Sequence, residues 1–354
     1  MLYQTENQHG GDVYGGDITL DFSANTNPLG TPPGVLEAVC RALPRLHRYP
    51  DPYCRRLVQA IAGHEQVPAS YILCGNGAAD LIYTYCAALR PRTAVELAPT
   101  FVEYGAGLAQ VGCRVERYFL HQAQNFDLDE RFLSFLEEKK PEVVFLCNPN
   151  NPTGRLIPLS LLEQILQYCA AQGARLFLDE CFLDLTEDGV SAKSLLAAHP
   201  ALLLLKAFTK SYGMAGLRLG YCLCADNALL RRMAAASPPW NVSTLAQSAG
   251  VAALAERDFL QRTLSLVRTE RRWLTDNLTA LGFWVCPSHA NYLLFRGPLG
   301  LREGLLQQGI AIRGCGNYNG LGDGWYRIAV RPHGENEALI TAIRQFCKEK
   351  SLWQ

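Results

Sequence analysis

The sequence predicts an α/β protein in which a large domain built on a mostly parallel sheet flanked by helices is followed by a smaller α+β domain. Three observations predict it. Between residues 70 and 225 short apolar runs alternate with amphipathic segments, the pattern of strand, helix and parallel strand. After about residue 240 a long helical stretch is followed by grouped strands, as in an α+β unit. The length of 354 residues exceeds one small core and favours two domains sharing a cleft.

Taken in order, the first 35 residues are rich in Gly, Pro and Asn with little periodicity, and read as an arm laid over another surface. The clearest strands are YILCG (71–75), AVELA (94–98), VVFLCN (143–148), RLFLDE (175–180) and ALLLLKA (201–207). Between the third and fourth, Pro158 opens a helix that carries Leu161, Leu162, Ile165, Leu166 and Cys169 on one face and stops at Gly173. That is a βαβ unit, expected to cross over right-handed. One helical stretch is expected over 245–281. It precedes FWVCPS (283–288), ANYLLF (290–295), GIAIRGC (309–315) and WYRIAVR (325–331) in a mostly antiparallel sheet, and a final helix from Glu335. The expected organisation is therefore an arm (1–35), a large domain (36–244) and a small domain (245–354).

Composition narrows the function. Lys plus Arg and Asp plus Glu number 33 each, so no net field recommends nucleic acid or an anionic membrane as partner. The start, MLYQTENQHGG, lacks a signal-peptide profile and no apolar run spans a bilayer, which makes a cytoplasmic protein the expectation. The thirteen Cys have no disulfide-framework spacing and read as reduced thiols, and no His or Cys cluster completes a metal set.

In an open parallel sheet ligands bind beyond the carboxyl ends of the strands, so the residues after each apolar run matter most. YILC leads into Gly75-Asn76-Gly77 and a helix from Ala78, a natural phosphate seat; VVFLC into NPNNPTG (148–154); RLFL into Asp179-Glu180; LLLLKAF into Thr209-Lys210. Singly, a tight turn, a helix N-cap at Asp179 and a surface Lys210 would explain these residues as well. Together, a carboxylate, a lysine, a phosphate seat and an Asn loop at one sheet edge are the parts that hold pyridoxal phosphate.

NPNNPTG, LDE, and TK followed by GLRLGY, in that order and spacing, resemble the fold type I pyridoxal-phosphate enzymes, and within them the class I/II aminotransferases of the histidinol-phosphate branch. The likeness runs over essentially the whole chain. It implies that 36–244 is the cofactor-binding domain, that Lys210 is the Schiff-base lysine and that Asp179 partners the pyridine nitrogen. It places Asn151 on the cofactor's phenolic oxygen, and Arg218 with Gly77, the Ala78 and Ala79 amides and Thr209 on its phosphate. Phe101 matches the ring-stacking aromatic. Tyr49 in RYPD matches a tyrosine that reaches the neighbouring subunit's cofactor, which implies a homodimer with shared sites. Arg327 in RIAVR resembles the arginine that forks onto the substrate carboxylate. Cys181 stands where the family most often has Ala, Phe182 where it commonly has Tyr, and Ala207 lacks a hydroxyl often used on the phosphate.

HGG (9–11), DFSANTNPLG (21–30), RYPD (48–51), CGNG (74–77) and NYNGL (317–321) look more like the threonine-phosphate decarboxylases of cobalamin synthesis than like aminotransferases. That resemblance implies decarboxylation of O-phospho-L-threonine to (R)-1-amino-2-propanol phosphate. It also implies a second anion site, for which His9, Asn25, Arg331 and Tyr318 are the candidates. The rival is an aminotransferase of the histidinol-phosphate type using the same Lys210, Asp179, Asn151, Arg218 and Arg327. A phosphoserine-preferring decarboxylase differs by one methyl of substrate, worth about 1–3 kcal/mol in an apolar pocket. A non-catalytic binder of the cofactor is the reading from another class.

Overall fold

The computed structural model describes residues 9–350. In chain order the strands are β1 (Leu20–Asp21), β2 (Ile72–Gly75), β3 (Thr93–Ala98), β4 (Arg114–Phe119), β5 (Val143–Cys147), β6 (Arg175–Asp179), β7 (Leu202–Ala207), β8 (Gly220–Cys224), β9 (Trp284–Val285), β10 (Tyr292–Arg296), β11 (Ile310–Ala311), β12 (Arg313–Gly314) and β13 (Trp325–Ala329). Seven of them form one sheet in the order β2-β8-β7-β6-β5-β3-β4. Its pairs are parallel except those of β8, which runs against both β2 and β7.

The apolar runs are unbroken because helices cover both faces of this sheet. Side chains alternate between two cores: Val144, Leu146, Leu176, Leu178, Leu202 and Leu204 pack on one side. Val143, Phe145, Cys147, Phe177, Leu203 and Leu205 pack on the other. The expected helix after β5 spans Leu159–Gln172, with Pro158 at its N-cap and Gly173 left-handed at its C-cap. The apolar pattern conceals β4, an edge strand whose residues are half-buried or exposed.

The C-terminal strands form an antiparallel sheet in the order β12-β13-β10-β9 over a third core that includes Leu274, Phe295, Ile328 and Ile343. β1 pairs with β11, so the N-terminal segment is sewn to this part of the molecule. The single helix expected over 245–281 is two helices, Thr244–Ala253 and Phe259–Ala280. Between them the amides of Ala255 and Glu256 turn back onto the carbonyls of Ala252 and Ala253, which ends the first helix.

The register puts the functional strand ends in one row. Cys147 lies opposite Asp179, Asp179 opposite Leu205, and Gly220 opposite both Ala207 and Gly75. Because β3 leads outward to β4 while β5 starts the march in the other direction, a crevice opens between the carboxyl ends of β3 and β5.

Candidate active site

A cavity of about 420 Å³ occupies that edge. Its floor comes from the strand ends: Ala78 and Ala79 after β2, Phe101 and Glu103 after β3, Cys147 and Asn151 at β5, Asp179, Cys181 and Phe182 at β6, Ala207, Thr209 and Lys210 at β7, and Arg218 before β8. Its rim comes from the arm (His9, Gly10, Ser23, Ala24, Asn25) and the small sheet region (Arg313, Tyr318, Arg327).

Asp179 is 5% exposed and holds two donors: the Cys181 amide at 2.8 Å on one oxygen and the Tyr104 hydroxyl at 2.6 Å on the other. Burial pushes its carboxyl above the ordinary range, while hydrogen bonds from Cys181 and Tyr104 and the charge of Lys210 pull the other way. Lys210 lies in the short helix Phe208–Ser211, its Nζ 5.5 Å from the centre of the Phe182 ring. Burial, then the charges of Arg327 and Arg218, lower its amine to about 8. A minor but appreciable fraction, about a fifth, is therefore neutral and nucleophilic near physiological pH, far more than for an ordinary lysine.

Gly77 has φ +85°, and a Cβ there would lie 2.7 Å from a guanidinium nitrogen of Arg218. The helix Ala78–Leu89 starts at once, so the first-turn amides of Ala78 and Ala79 and the Arg218 guanidinium converge where only glycine leaves room. The NPNNPTG loop folds on its own side chains. The Asn148 carbonyl oxygen accepts from the Ile157 amide, and Asn150 bonds Thr100, Thr153 and the Pro99 carbonyl. Asn151 is left facing the cavity, where it accepts from Nη1 of Arg327.

Arg327 also donates from Nη2 to the Ser23 carbonyl at 2.9 Å and, with the Asn25 amide oriented as its partners require, from Nε to Asn25 at 3.1 Å. Nη1 reaches the same Asn25 oxygen at 3.3 Å, so four of its five N–H groups are engaged and one on Nη2 remains for a ligand. Directly opposite Arg327 on the neighbouring strand stands Arg313. Arg313 is 8% exposed, donates from Nη2 to Asn317 at 2.7 Å and lies 5.4 Å from the centre of the Tyr318 ring.

Most expected residues line this cavity, Gly77 abuts the Arg218 guanidinium at its edge, and two lie elsewhere. Arg331 is drawn aside by Glu335, to which its Nε donates at 2.9 Å, and it does not line the cavity. Arg313, opposite Arg327, lines it instead. Tyr49 lies on the surface, 78% exposed, stacked on Trp240 with ring centres 4.5 Å apart, outside its own chain's cavity. Sequence reading missed Arg313, Tyr104 and Glu103. Tyr104 had one readable signal, its position three residues after Phe101 at a helix start. Glu103 receives His9 Nε2 at 2.7 Å and the Tyr83 hydroxyl at 2.5 Å, which pins the arm across the mouth.

The family model "Aminotransferase class I and II" matches residues 17–346. The chain belongs to this family. It is 41% identical over 334 residues to the threonine-phosphate decarboxylase of Salmonella typhimurium, covering 93% of this chain and 91% of that one. It is 33% identical over 354 residues to a histidinol-phosphate aminotransferase of Geobacillus sp. strain WCH70, covering 96% and 93%. Among solved structures, the histidinol-phosphate aminotransferase of Clostridium acetobutylicum superposes with a TM-score of 0.87 at 27% identity, covering 93% of this chain and 99% of that one.

Pyridoxal phosphate, the cofactor implied for this family, fits the residues present. The glycine seat filled by the Arg218 guanidinium matches a phosphate, the buried Asp179 matches a protonated ring nitrogen, and the depressed Lys210 amine matches an aldehyde.

Proposed function

We propose that this chain is a pyridoxal-phosphate-dependent decarboxylase that converts O-phospho-L-threonine to (R)-1-amino-2-propanol phosphate and carbon dioxide, a step of cobalamin synthesis. The observation that carries the reading is the pair Arg313 and Arg327, side by side on adjacent strands and facing one cavity. With Arg218 at the far end, the cavity offers three guanidinium groups. The cofactor phosphate, the substrate carboxylate and the substrate phosphate are three anions. The resemblance to the Salmonella decarboxylase points the same way.

When bound, the cofactor supplies an electron-accepting pyridinium ring conjugated to the substrate's Cα. Every other task falls to side chains. Lys210 would hold the cofactor through Nζ, and its amine is the group placed to return a proton to the substrate's Cα. Asp179, whose two oxygens accept from Tyr104 and Cys181, would keep a proton on the ring nitrogen. Asn151 donates from its amide to the phenolic oxygen, its own oxygen being engaged by Arg327. Gly77, Ala78, Ala79, Thr209 and Arg218 seat the cofactor phosphate, and Phe101 covers the ring. Arg327 donates to the substrate carboxylate, while Arg313, Tyr318, Asn25 and His9 take the substrate phosphate.

The exposed Tyr49 lies beside a groove lined by Arg41, Arg45, Arg48 and Arg56, and Leu36, Leu43, Leu46 and Tyr53 are exposed close to it in the chain. This surface suits a second copy of the chain, so a homodimer with Tyr49 reaching the other subunit's cofactor is part of the proposal. So is a cytoplasmic location; among the described residues no helix is long and apolar enough to cross a membrane. Incubating purified holoenzyme with O-phosphothreonine tests the reaction. Release of carbon dioxide without accumulation of pyridoxamine phosphate is expected. Accumulation of the amine form, discharged by a 2-oxo acid, would turn the assignment to an aminotransferase.

A further inference from the structure

The residues proposed for the two ends of the cofactor ring, Asp179 and Lys210, come from adjacent strands: Asp179 ends β6 in register with Leu205 of β7, and Lys210 lies five residues past that pairing, beyond the sheet. The helix that carries Lys210 is four residues long, too short to be rigid through its own hydrogen bonds. Behind it lies a buried charged network that does not line the cavity. Ser211, next to Lys210, donates from Oγ to Asp184 Oδ2 at 3.0 Å, and Lys206 donates from Nζ to Asp184 Oδ1 at 3.1 Å. Asp184 sits five residues beyond Asp179, in the single turn Leu183–Leu185 that follows Cys181 and Phe182 of the cavity wall.

We infer that Asp184, bound to Lys206 and Ser211, is a positioning residue: it clamps the strand end bearing Asp179 to the helix bearing Lys210 and sets their spacing from outside the site. The clamp is anchored on every side. Lys206 is 5% exposed and meets Glu65 at 3.3 Å, and Glu65 accepts the Tyr221 hydroxyl at 2.5 Å and pairs with Lys193 at 3.0 Å. The Ser211 carbonyl accepts from Asn27 at 2.7 Å, and Asn27 donates to Thr263 at 2.9 Å, which joins the arm and the helix Phe259–Ala280 to the same point. Lys206 is buried while the Asp184 side chain is 28% exposed, and an ion pair so placed adds little net stability over apolar packing; what it adds is a fixed geometry between the two segments. Misplacing a reacting group by about 1 Å can cost some 100-fold in rate. The inference rests on the cofactor assignment, and is independent of which bond of the substrate is broken.

The test uses apoprotein reconstituted with pyridoxal phosphate, reading cofactor affinity by fluorescence quenching, the pH titration of the bound-cofactor absorption band, and Tm. Asp184→Asn is expected to weaken cofactor binding about tenfold or more and to shift the titration. Ser211→Ala should do the same to a smaller extent, with Ser211→Thr restoring both. Lys193→Met, which removes a partly exposed pair at the far end of the network, should lower Tm and leave affinity and titration unchanged. If Asp184→Asn does not fold, Ser211→Ala decides. Unchanged affinity and titration in Ser211→Ala, whatever its Tm, would overturn the inference. Wild-type protein that fails to bind pyridoxal phosphate would overturn the cofactor assignment instead.

Discussion

The floor and the rim of the cavity are built by different means. Floor residues follow directly on buried strands of one sheet: Asp179 ends β6 at 5% exposure, Asn151 follows β5 at 5%, and Thr209 follows β7 at 8%. Rim residues arrive from the arm and the small sheet region; several are as buried as the floor, but side-chain contacts between separate segments hold them, as Asn151, Ser23 and Asn25 hold Arg327. A group that must hold one cofactor through every turnover is set in the rigid part. Groups that admit a substrate and release a product are set where the chain opens at lower cost.

That contrast can be broken at several points. Lys210→Ala removes the amine proposed to anchor the cofactor and move the proton, so turnover is expected to fall by at least about 1,000-fold. The measurement is single-turnover carbon dioxide release from O-phosphothreonine, and activity within tenfold of wild type would remove the lysine from the mechanism. Arg313→Ala should raise KM for the phosphorylated substrate some 30-fold, about 2 kcal/mol of charge-assisted hydrogen bonding, without altering cofactor affinity. Arg331→Ala, already paired to Glu335, should leave KM close to wild type, and the reverse ranking would return the phosphate to Arg331.

The pH dependence sharpens the floor. With its amine lowered to about 8 in the folded apoprotein, Lys210 binds fewer protons than the unfolded chain does between pH 8 and its ordinary value of 10.5. Its contribution to stability therefore rises with pH across that window and is lost below pH 8. Compared with Lys210→Met, wild-type apoprotein should gain Tm from pH 8 to 10, and parallel curves would refute the lowered amine. The smallest effect belongs to the rim: His9→Ala removes a half-exposed pair and should raise KM two- to five-fold, about 0.4–1 kcal/mol, with the absorption spectrum unchanged.

The floor was legible in the sequence because β-runs announce their own ends. Asp179, Asn151, Lys210 and Gly77 each stand within a few residues of an apolar run, and their types suit one cofactor. The rim was not, because its neighbours are made by pairing rather than by sequence. Arg313 gains its meaning only opposite Arg327, and β12, which carries it, is too short to show a pattern. Arg331 was a candidate through the second anion site that the resemblance implies, and Glu335, four residues on, is the neighbour that engages it. The break at 254–258 escaped notice because Ala, Leu, Glu and Arg are all good helix formers and no Gly or Pro marks it.

The reversed strand β8 has a consequence for how this chain can vary. Since it enters the sheet where its neighbours leave it, Gly220 lies between Gly75 and Ala207, and the segment 211–219 measures the gap from the lysine to the phosphate arginine like a calliper. Gly216, with open space about its Cα, can accept a side chain. One inserted residue cannot be absorbed so easily: it would slide Arg218 away from Gly77 while Lys210 stayed in place, so this stretch tolerates a change of spelling but not of length.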